Sequence, residues 1–156
     1  MLTIEVPGWR ALELEWLVLD VNGTVARDGW VHANVRDALA ELSGSLRALA
    51  VTADTHGRGA SVAGALGIEV RIINNGSEAE RKARLVEELG AERVVAVGNG
   101  ANDVAMLRAA ALGICVMGPE GCAFDAAEAA DILTRDVGDA IGLLTHPRRL
   151  AATLRR

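Results

Sequence analysis

Residues 16–24 read Trp-Leu-Val-Leu-Asp-Val-Asn-Gly-Thr, and this stretch decides the expected fold. The apolar run 16–19 is typical of a strand that is buried on both faces of a parallel sheet. The run ends in Asp20, and Gly23-Thr24 supplies a tight turn directly after it. Because ligand sites of open α/β sheets lie at the carboxyl ends of the strands, the Asp20 carboxylate is expected at that edge.

Short apolar runs alternate with amphipathic segments along the rest of the chain. The pattern predicts strands at 2–6, 13–20, 46–52, 70–73, 94–97, 114–116 and 132–133, and helices at 34–42, 56–66, 77–89, 102–110, 137–144 and 148–154. The first two strands flank Pro7-Gly8 and are expected to pair as an antiparallel hairpin. The remaining alternation predicts an α/β, Rossmann-like, doubly wound and mainly parallel sheet with helices on both faces.

Length and composition predict one domain, 1–156, and exclude several classes of function. Hydrophobic residues make up 51% and charged residues 24%, which is typical of a globular core. Aromatic residues make up only 3% and the net charge is −5, so we expect no nucleic acid partner and no membrane partner.

Two features favour a cytoplasmic location. No run approaches the roughly 18 apolar residues of a membrane span, and the N-terminus lacks the basic start of a signal peptide. The two cysteines, Cys115 and Cys122, could form a disulfide or half of a metal site. We favour the interpretation that both are unreactive thiols in a reducing compartment.

Polar side chains with complementary chemistry follow several predicted strands. Asp20 and Thr52 each end a strand, and Asp103 follows the strand at 94–97. A carboxylate can attack phosphorus and form an acyl phosphate if cations and hydrogen bonds stabilise the charge on the phosphoryl oxygens. Lys82 could supply a cation, Thr52 a hydrogen bond, and Asp103 could help to hold Mg²⁺.

These residues resemble the motifs of the haloacid dehalogenase (HAD) superfamily. Its D-x-D/T-G-T motif is similar to residues 20–24, and its G-D-G-x-N-D motif is similar to residues 98–103, Gly-Asn-Gly-Ala-Asn-Asp. Thr52 closes a hydrophobic strand, and Lys82 precedes the last motif, as in that superfamily. Within it, the chain most resembles soluble P-type ATPase-like phosphatases, over roughly residues 1–145.

The resemblance implies a role for each site residue. Asp20 is the implied nucleophile, and Asn22, Thr52 and Lys82 complete the catalytic set. The implied Mg²⁺ ligands are Asp20, the backbone carbonyl of Asn22, and Asn99, with Asp103 near the metal and facing Lys82. The implied phosphate contacts come from Gly23, Thr52, Ala53, Lys82 and Asn102.

Two residues depart from the pattern of the superfamily. Asn22 stands where its phosphatases have an Asp that acts as general acid and base, and losing such a group lowers the rate about 10²–10⁴-fold. Asn99 replaces a carboxylate, so weaker Mg²⁺ binding is expected. The expected substrate is therefore a phosphorylated compound with a good leaving group. The alternative is a catalytically weak or inactive regulatory or binding module. The presence of Asp20, Thr52, Lys82 and Asp103 argues against it.

The spacing of the motifs leaves no room for a cap domain. The intervals 20–52 and 52–82 are each filled by one helix and one strand, so a capless core with an open site is expected. The loop 26–33, with Trp30 and His32, is the candidate cover, either locally or from a neighbouring subunit in a dimer or tetramer. An exposed Trp30 would indicate contact with a partner. The alternative is that Trp30 packs against its own domain.

Two other α/β classes fit less well. Gly98-x-Gly100 resembles part of a dinucleotide-binding fingerprint, but Asp103 replaces the third glycine and would repel a pyrophosphate. A receiver domain requires an acidic pair at the end of its first strand, and the run 17–20 has one acid.

Overall fold

A computed structural model describes residues 1–27, 30–31, 34–53, 57–74 and 76–156 of the chain. The strands are β1 (Leu2–Glu5), β2 (Ala11–Leu14), β3 (Trp16–Asp20), β4 (Ala26–Arg27), β5 (Trp30–Val31), β6 (Arg47–Thr52), β7 (Glu69–Ile72), β8 (Val94–Gly98), β9 (Leu112–Val116) and β10 (Ile132–Thr134). The helices are α1 (Val35–Leu42), α2 (Gly59–Leu66), α3 (Glu78–Glu88), α4 (Val104–Ala109), α5 (Phe124–Ala129), α6 (Val137–Thr145) and α7 (Pro147–Leu154).

Six strands form one parallel sheet in the order β10-β9-β8-β3-β6-β7. The chain leaves β3 toward one edge of the sheet and returns to β8 to build the other edge, so the strand order reverses beside β3. This topology confirms the predicted doubly wound α/β class. Because ligands bind where the strand order reverses, the carboxyl ends of β3 and β8 are the expected site.

Two hydrophobic cores cover the two faces of the sheet. Leu17 and Leu19 of β3 point into a core shared with α1, α2, α6 and α7. Val18, between them, points into a second core shared with α3 and α4. Alternate residues of a strand face opposite sides, so an uninterrupted apolar run is what a centrally placed strand requires. All three of these side chains are fully buried.

The N-terminal hairpin is shorter than predicted. The expected strand at 13–20 is two strands separated by Glu15: β2 pairs antiparallel with β1, whereas β3 belongs to the parallel sheet. The backbone of Glu15 bridges the sheet at this break, because its N–H donates to Arg93 O and its carbonyl accepts from Arg47 N–H, both at 2.9 Å. The change of partner occurs without a glycine or proline, so the sequence carries no turn signal there.

Several other boundaries differ from the prediction. The helix expected at 102–110 begins with a 3-10 turn over Ala101–Asp103 before α4 starts. The hairpin of β4 and β5 was not predicted. The start of the helix expected at 56–66 falls partly on His56, which lies outside the described residues. Across the described segments, no helix is long and apolar enough to cross a membrane.

The helix α3 begins and ends where the sequence predicts. The hydroxyl of Ser77 accepts a hydrogen bond from the N–H of Glu80 at 3.5 Å, which caps the helix start. Gly90 follows the helix with a positive φ of 85°, a conformation that glycine adopts without a steric penalty. The helix buries Lys82, Leu85 and Val86 against the sheet, so one charged side chain lies on its apolar face.

Candidate active site

Three neighbouring strands bring polar side chains to the carboxyl edge of the sheet. Asp20 ends β3, Thr52 ends β6 on one side of it, and Asn99 follows β8 on the other. Their side chains are buried, with 4%, 3% and 8% of the residue surfaces exposed. Buried polar groups require partners, and those of the Asp20 carboxylate include Lys82 and Thr24.

Lys82 is the cation at the centre of the site. Its Nζ atom lies 2.7 Å from Asp20 Oδ1, 2.8 Å from Asp103 Oδ1 and 2.9 Å from Glu78 Oε1. The lysine side chain is fully buried, as is that of Asp103. The helix α3 packs on α4 and on the 3-10 turn before it, and this packing directs the ammonium group toward both aspartates.

The charges of the site do not balance, because three carboxylates surround one ammonium group. Burial lowers the pKa of Lys82, but the attraction of Asp20 and Asp103 exceeds that effect and leaves the pKa raised. Burial raises the pKa of Asp20 to about 7, and repulsion by Asp103 adds to the rise while Lys82 opposes it. The site therefore favours an additional positive charge near Asp20.

Asp103 fixes the loop that follows β8. Its Oδ2 atom accepts hydrogen bonds from the backbone N–H groups of Asn99 and Gly100, both at 2.9 Å, while its Oδ1 atom contacts Lys82. A side-chain carbon on Gly98 would lie 2.6 Å from Asp103 Cγ, so only glycine leaves room for this carboxylate. Both oxygens of Asp103 are thus engaged within the protein.

The second oxygen of Asp20 faces the turn 21–24. The hydroxyl oxygen of Thr24 lies 3.2 Å from Asp20 Oδ2 and 3.3 Å from Asn99 Oδ1. The amide nitrogen of Asn99 donates to Gly121 O at 3.2 Å, so its oxygen is the atom turned toward Thr24. Asp20 and Asn99 thereby present oxygen atoms to the same small region.

The oxygen atoms of Asp20 and Asn99 are suitable ligands for a hard divalent cation, but only Asp20 carries a negative charge. Mg²⁺ binds oxygen ligands and keeps several of its waters, and the two facing oxygens, from Asp20 and Asn99, have the right chemistry. No cluster of three or more His, Cys, Asp or Glu side chains suited to a metal occurs within the described ranges. The oxygens of the Asn99 amide and of a backbone carbonyl can also bind such an ion, although neither belongs to those side chains.

The other predicted residues differ in their exposure. Asn22 is exposed and Gly23 is buried in the turn after β3, while Ala53 and Asn102 are half-buried. The side chain of Trp30 is 77% exposed, so its expected contact with a partner stays a prediction. His32 and the Asp54 that follows Ala53 lie outside the described residues.

Glu78 is a site residue that the sequence analysis missed. Burial raises its pKa, but hydrogen bonding and attraction from Lys82 and a hydrogen bond with Asn102 leave that pKa lowered. An acid at the first position of a helix ordinarily indicates an interaction with the helix dipole. Its spacing of four residues before Lys82 was the available signal, since residues i and i+4 face each other.

The two cysteines are free thiols near the site. Cys115 is buried in β9, and Cys122 is half-buried in the loop before α5. Burial raises the pKa of Cys115 to about 12, and the neighbouring Cys122 adds to the rise. Because the thiolate is the reactive form, Cys115 is an unreactive core residue at neutral pH.

Comparison with known proteins gives two sequence relatives of interest. An uncharacterised protein of Methanocaldococcus jannaschii is 43% identical over 84 residues, which cover 51% of this chain and 90% of that protein. A zinc/cadmium/lead-transporting P-type ATPase of Escherichia coli is 33% identical over 113 residues, which cover 71% of this chain but 15% of the transporter. No protein-family model matches the chain.

Solved structures share the fold over nearly the whole chain. A Legionella pneumophila hydrolase assigned to the HAD superfamily, subfamily III A, aligns with a TM-score of 0.71 at 16% identity, covering 90% of this chain and 87% of that one. The 3-deoxy-D-manno-octulosonate 8-phosphate phosphatase of Moraxella catarrhalis, in complex with magnesium, phosphate and sugar, aligns with a TM-score of 0.69 at 18% identity, covering 91% and 94%.

The class of protein follows from the fold and the site together. A doubly wound parallel sheet carries an aspartate at the end of its central strand, and a buried lysine joins that aspartate to a second one. The fold is that of haloacid dehalogenase superfamily hydrolases, and 71% of the chain is similar in sequence to one part of a P-type ATPase.

Proposed function

We propose that the chain is a Mg²⁺-dependent phosphohydrolase, a phosphatase that works through a phosphorylated Asp20. The observation that carries this proposal is the environment of the Asp20 carboxylate. One oxygen contacts the Lys82 ammonium group, and the other faces Thr24 and the oxygen of Asn99 at the open edge of the sheet. The Moraxella phosphatase, which shares the fold, binds magnesium and phosphate, and this supports the proposal.

Asp20 would act in two displacement steps. In the first, a carboxylate oxygen of Asp20 attacks phosphorus, and the bond from phosphorus to the leaving oxygen breaks with its electron pair. In the second, water attacks the phosphorus of the acyl phosphate, which releases phosphate and regenerates the carboxylate. The attack requires ionised Asp20, and the contact with Lys82 favours that form.

Mg²⁺ would be held by the carboxylate of Asp20, the backbone carbonyl of Asn22 and the amide oxygen of Asn99. When bound, the ion supplies positive charge against the phosphoryl oxygens and the Asp20 carboxylate. Asp103 would act indirectly, because its carboxylate holds the backbone of Asn99 and Gly100 in place. This role differs from direct ligation, and it is supported by the hydrogen bonds that both of its oxygens already accept within the protein.

The phosphoryl group would be held by Lys82 and Thr52 with the surrounding Gly23, Ala53 and Asn102. Lys82 supplies a buried positive charge, and a charge excluded from water stabilises an anion more strongly than an exposed one. Glu78 joins this set through its contact with Lys82 and its hydrogen bond with Asn102. We assign Glu78 a positioning role, because it touches two proposed phosphate contacts.

Asn22 would restrict the substrate by its chemistry. An amide cannot give a proton to the leaving oxygen, so that oxygen must depart as a stable anion. Acyl phosphates, phosphoanhydrides and aryl phosphates meet this requirement better than alkyl monoesters do. The proposed substrate is therefore a phosphorylated compound of the former kinds, taken into a site without a cap.

Hydrolysis of acetyl phosphate and para-nitrophenyl phosphate tests the proposal. We expect turnover that requires Mg²⁺, that is lost in Asp20→Asn and that is faster for acetyl phosphate. We also expect an acid-stable, hydroxylamine-sensitive phosphoenzyme, which Asp20→Asn cannot form. Absence of Asp20-dependent turnover on both compounds would contradict the proposal and favour the alternative, a weak or inactive regulatory or binding module.

A further inference from the structure

The proposed cation site takes most of its protein ligands from neutral groups. Of its three protein donors, only Asp20 is a carboxylate, because Asn99 and the Asn22 carbonyl are neutral. Asp103 and Glu78 add negative charge nearby, but like Asp20 each has a carboxylate oxygen in contact with the ammonium group of Lys82. A second carboxylate close to these ligands and not engaged by Lys82 would strengthen the attraction for the ion, and the inference therefore rests on the proposed function.

Glu120 brings a carboxylate to the same turn. A side-chain carbon built on Gly23 would lie 2.6 Å from Asn99 Nδ2, 2.8 Å from Glu120 Oε2 and 3.0 Å from Asn99 Oδ1. The Glu120 carboxylate and the whole Asn99 amide group therefore lie within 3.0 Å of one point beside the α-carbon of Gly23. Gly23 directly follows Asn22 and precedes Thr24, so the Glu120 carboxylate faces the turn that would bind the cation.

The loop that carries Glu120 is hydrogen-bonded to two neighbouring loops and lies close to this turn. Asn99 Nδ2 donates to Gly121 O at 3.2 Å, and the N–H of Gly118 donates to Arg135 O at 2.8 Å. A side-chain carbon on Gly118 would lie 3.2 Å from Gly23 O, so the two loops approach each other closely. Gly118 and Gly121 have positive φ values of 55° and 73°, which favour glycine and bring Pro119-Glu120 across the turn.

We infer that the Glu120 carboxylate supplies the second negative charge of the divalent cation site. It takes the place of the carboxylate that Asn99 lacks, and it acts from a loop beyond the next strand of the sheet. Mg²⁺ keeps several waters in protein sites, so a carboxylate facing the turn can act on the ion through hydrogen bonds to them. Glu120 is exposed, and solvent screening makes its effect moderate and dependent on salt.

Calorimetric titration with MgCl₂ tests this inference without a measurement of activity. We compare the wild-type chain with Glu120→Gln, which removes the charge and keeps the shape. Glu88→Gln is the matched control, because Glu88 is an exposed acid at the far end of α3. We expect Glu120→Gln to weaken Mg²⁺ binding about fivefold to tenfold at low salt and less at high salt, while the control binds like the wild type.

A second variant tests whether charge is the cause. Asn99→Asp added to Glu120→Gln returns a carboxylate to the turn and is expected to restore the wild-type affinity or exceed it. Wild-type affinity in Glu120→Gln would overturn the inference and leave the proposed function intact. Failure of the wild-type chain to bind Mg²⁺ would overturn the proposed cation site, and the role of Glu120 with it.

Discussion

The burial of Asp20 predicts that its replacement by asparagine stabilises the metal-free protein. The folded protein holds the Asp20 proton more tightly than the unfolded chain does, because burial raises the pKa from 3.8 to about 7. The contribution of Asp20 to the unfolding free energy therefore falls as the pH rises from about 4 to about 7. Above pH 7 it stays at this lowest value. The amide group of the Asp20→Asn variant carries no charge at any of these pH values and would avoid the loss.

The size of the effect follows from the shift in pKa. A rise of about three pKa units corresponds to about 4 kcal/mol of unfolding free energy at pH 8, and to about 2 kcal/mol at pH 5. Lys82 keeps Asp103 and Glu78 as partners after the substitution, so it does not become an unpaired charge. Because the three carboxylates share one ammonium group, we expect a gain of about 2–4 kcal/mol at pH 8 and about half of that at pH 5.

Urea unfolding in EDTA at the two pH values measures this gain. Asp139→Asn is the control, since Asp139 is a more exposed acid paired with Arg135, and it should change stability by no more than about 0.5 kcal/mol. Adding Mg²⁺ should reduce the difference in unfolding free energy between Asp20→Asn and the wild type, because the ion stabilises the wild type. A variant that is less stable than the wild type at pH 8, or a gain that does not change with pH, would refute this reasoning.

Three other substitutions at the site have expected outcomes. Lys82→Met should lower the unfolding free energy by about 3–5 kcal/mol at pH 8, because it leaves buried carboxylates without a cation. Urea unfolding in EDTA measures this change, and a loss below about 1 kcal/mol would contradict the prediction. Asn22→Asp should raise kcat on para-nitrophenyl phosphate by about 10²-fold or more by supplying a general acid, and unchanged monoester turnover would show that Asn22 is not the missing acid. Gly98→Ala should lower the unfolding free energy by about 1–3 kcal/mol, because the added carbon collides with Asp103; a wild-type urea midpoint would exclude that collision.

The sheet and the centre of the site could be predicted because they depend on local patterns. A buried central strand must be apolar on both faces, and β3 ends in an acid at the edge where parallel strands bind ligands. The break at Glu15 could not be predicted, because the apolar pattern continues across it without a turn residue. The strands β4 and β5 were missed because two residues are too few to show a period.

The residues missed at the site are those whose roles depend on tertiary contacts. Glu78 looks like an ordinary acid at a helix start, and only the orientation of α3 brings it to Lys82. Glu120 lies in a loop between two glycines, where no periodicity indicates the direction of a side chain. Its place beside Gly23 depends on two loops from separate strands meeting, and that meeting has no signature in either segment alone.

The two-sided engagement of Asp103 has a consequence for ligand binding. One oxygen holds the amide groups that set the position of Asn99, and the other holds the ammonium group that would meet an incoming anion. A bound phosphate that attracts the Lys82 ammonium group weakens its contact with Asp103. Because Asp103 also holds the loop of Asn99, the position of that loop changes. Cation and anion should therefore bind cooperatively, and thermodynamic linkage requires that each changes the affinity for the other by the same factor.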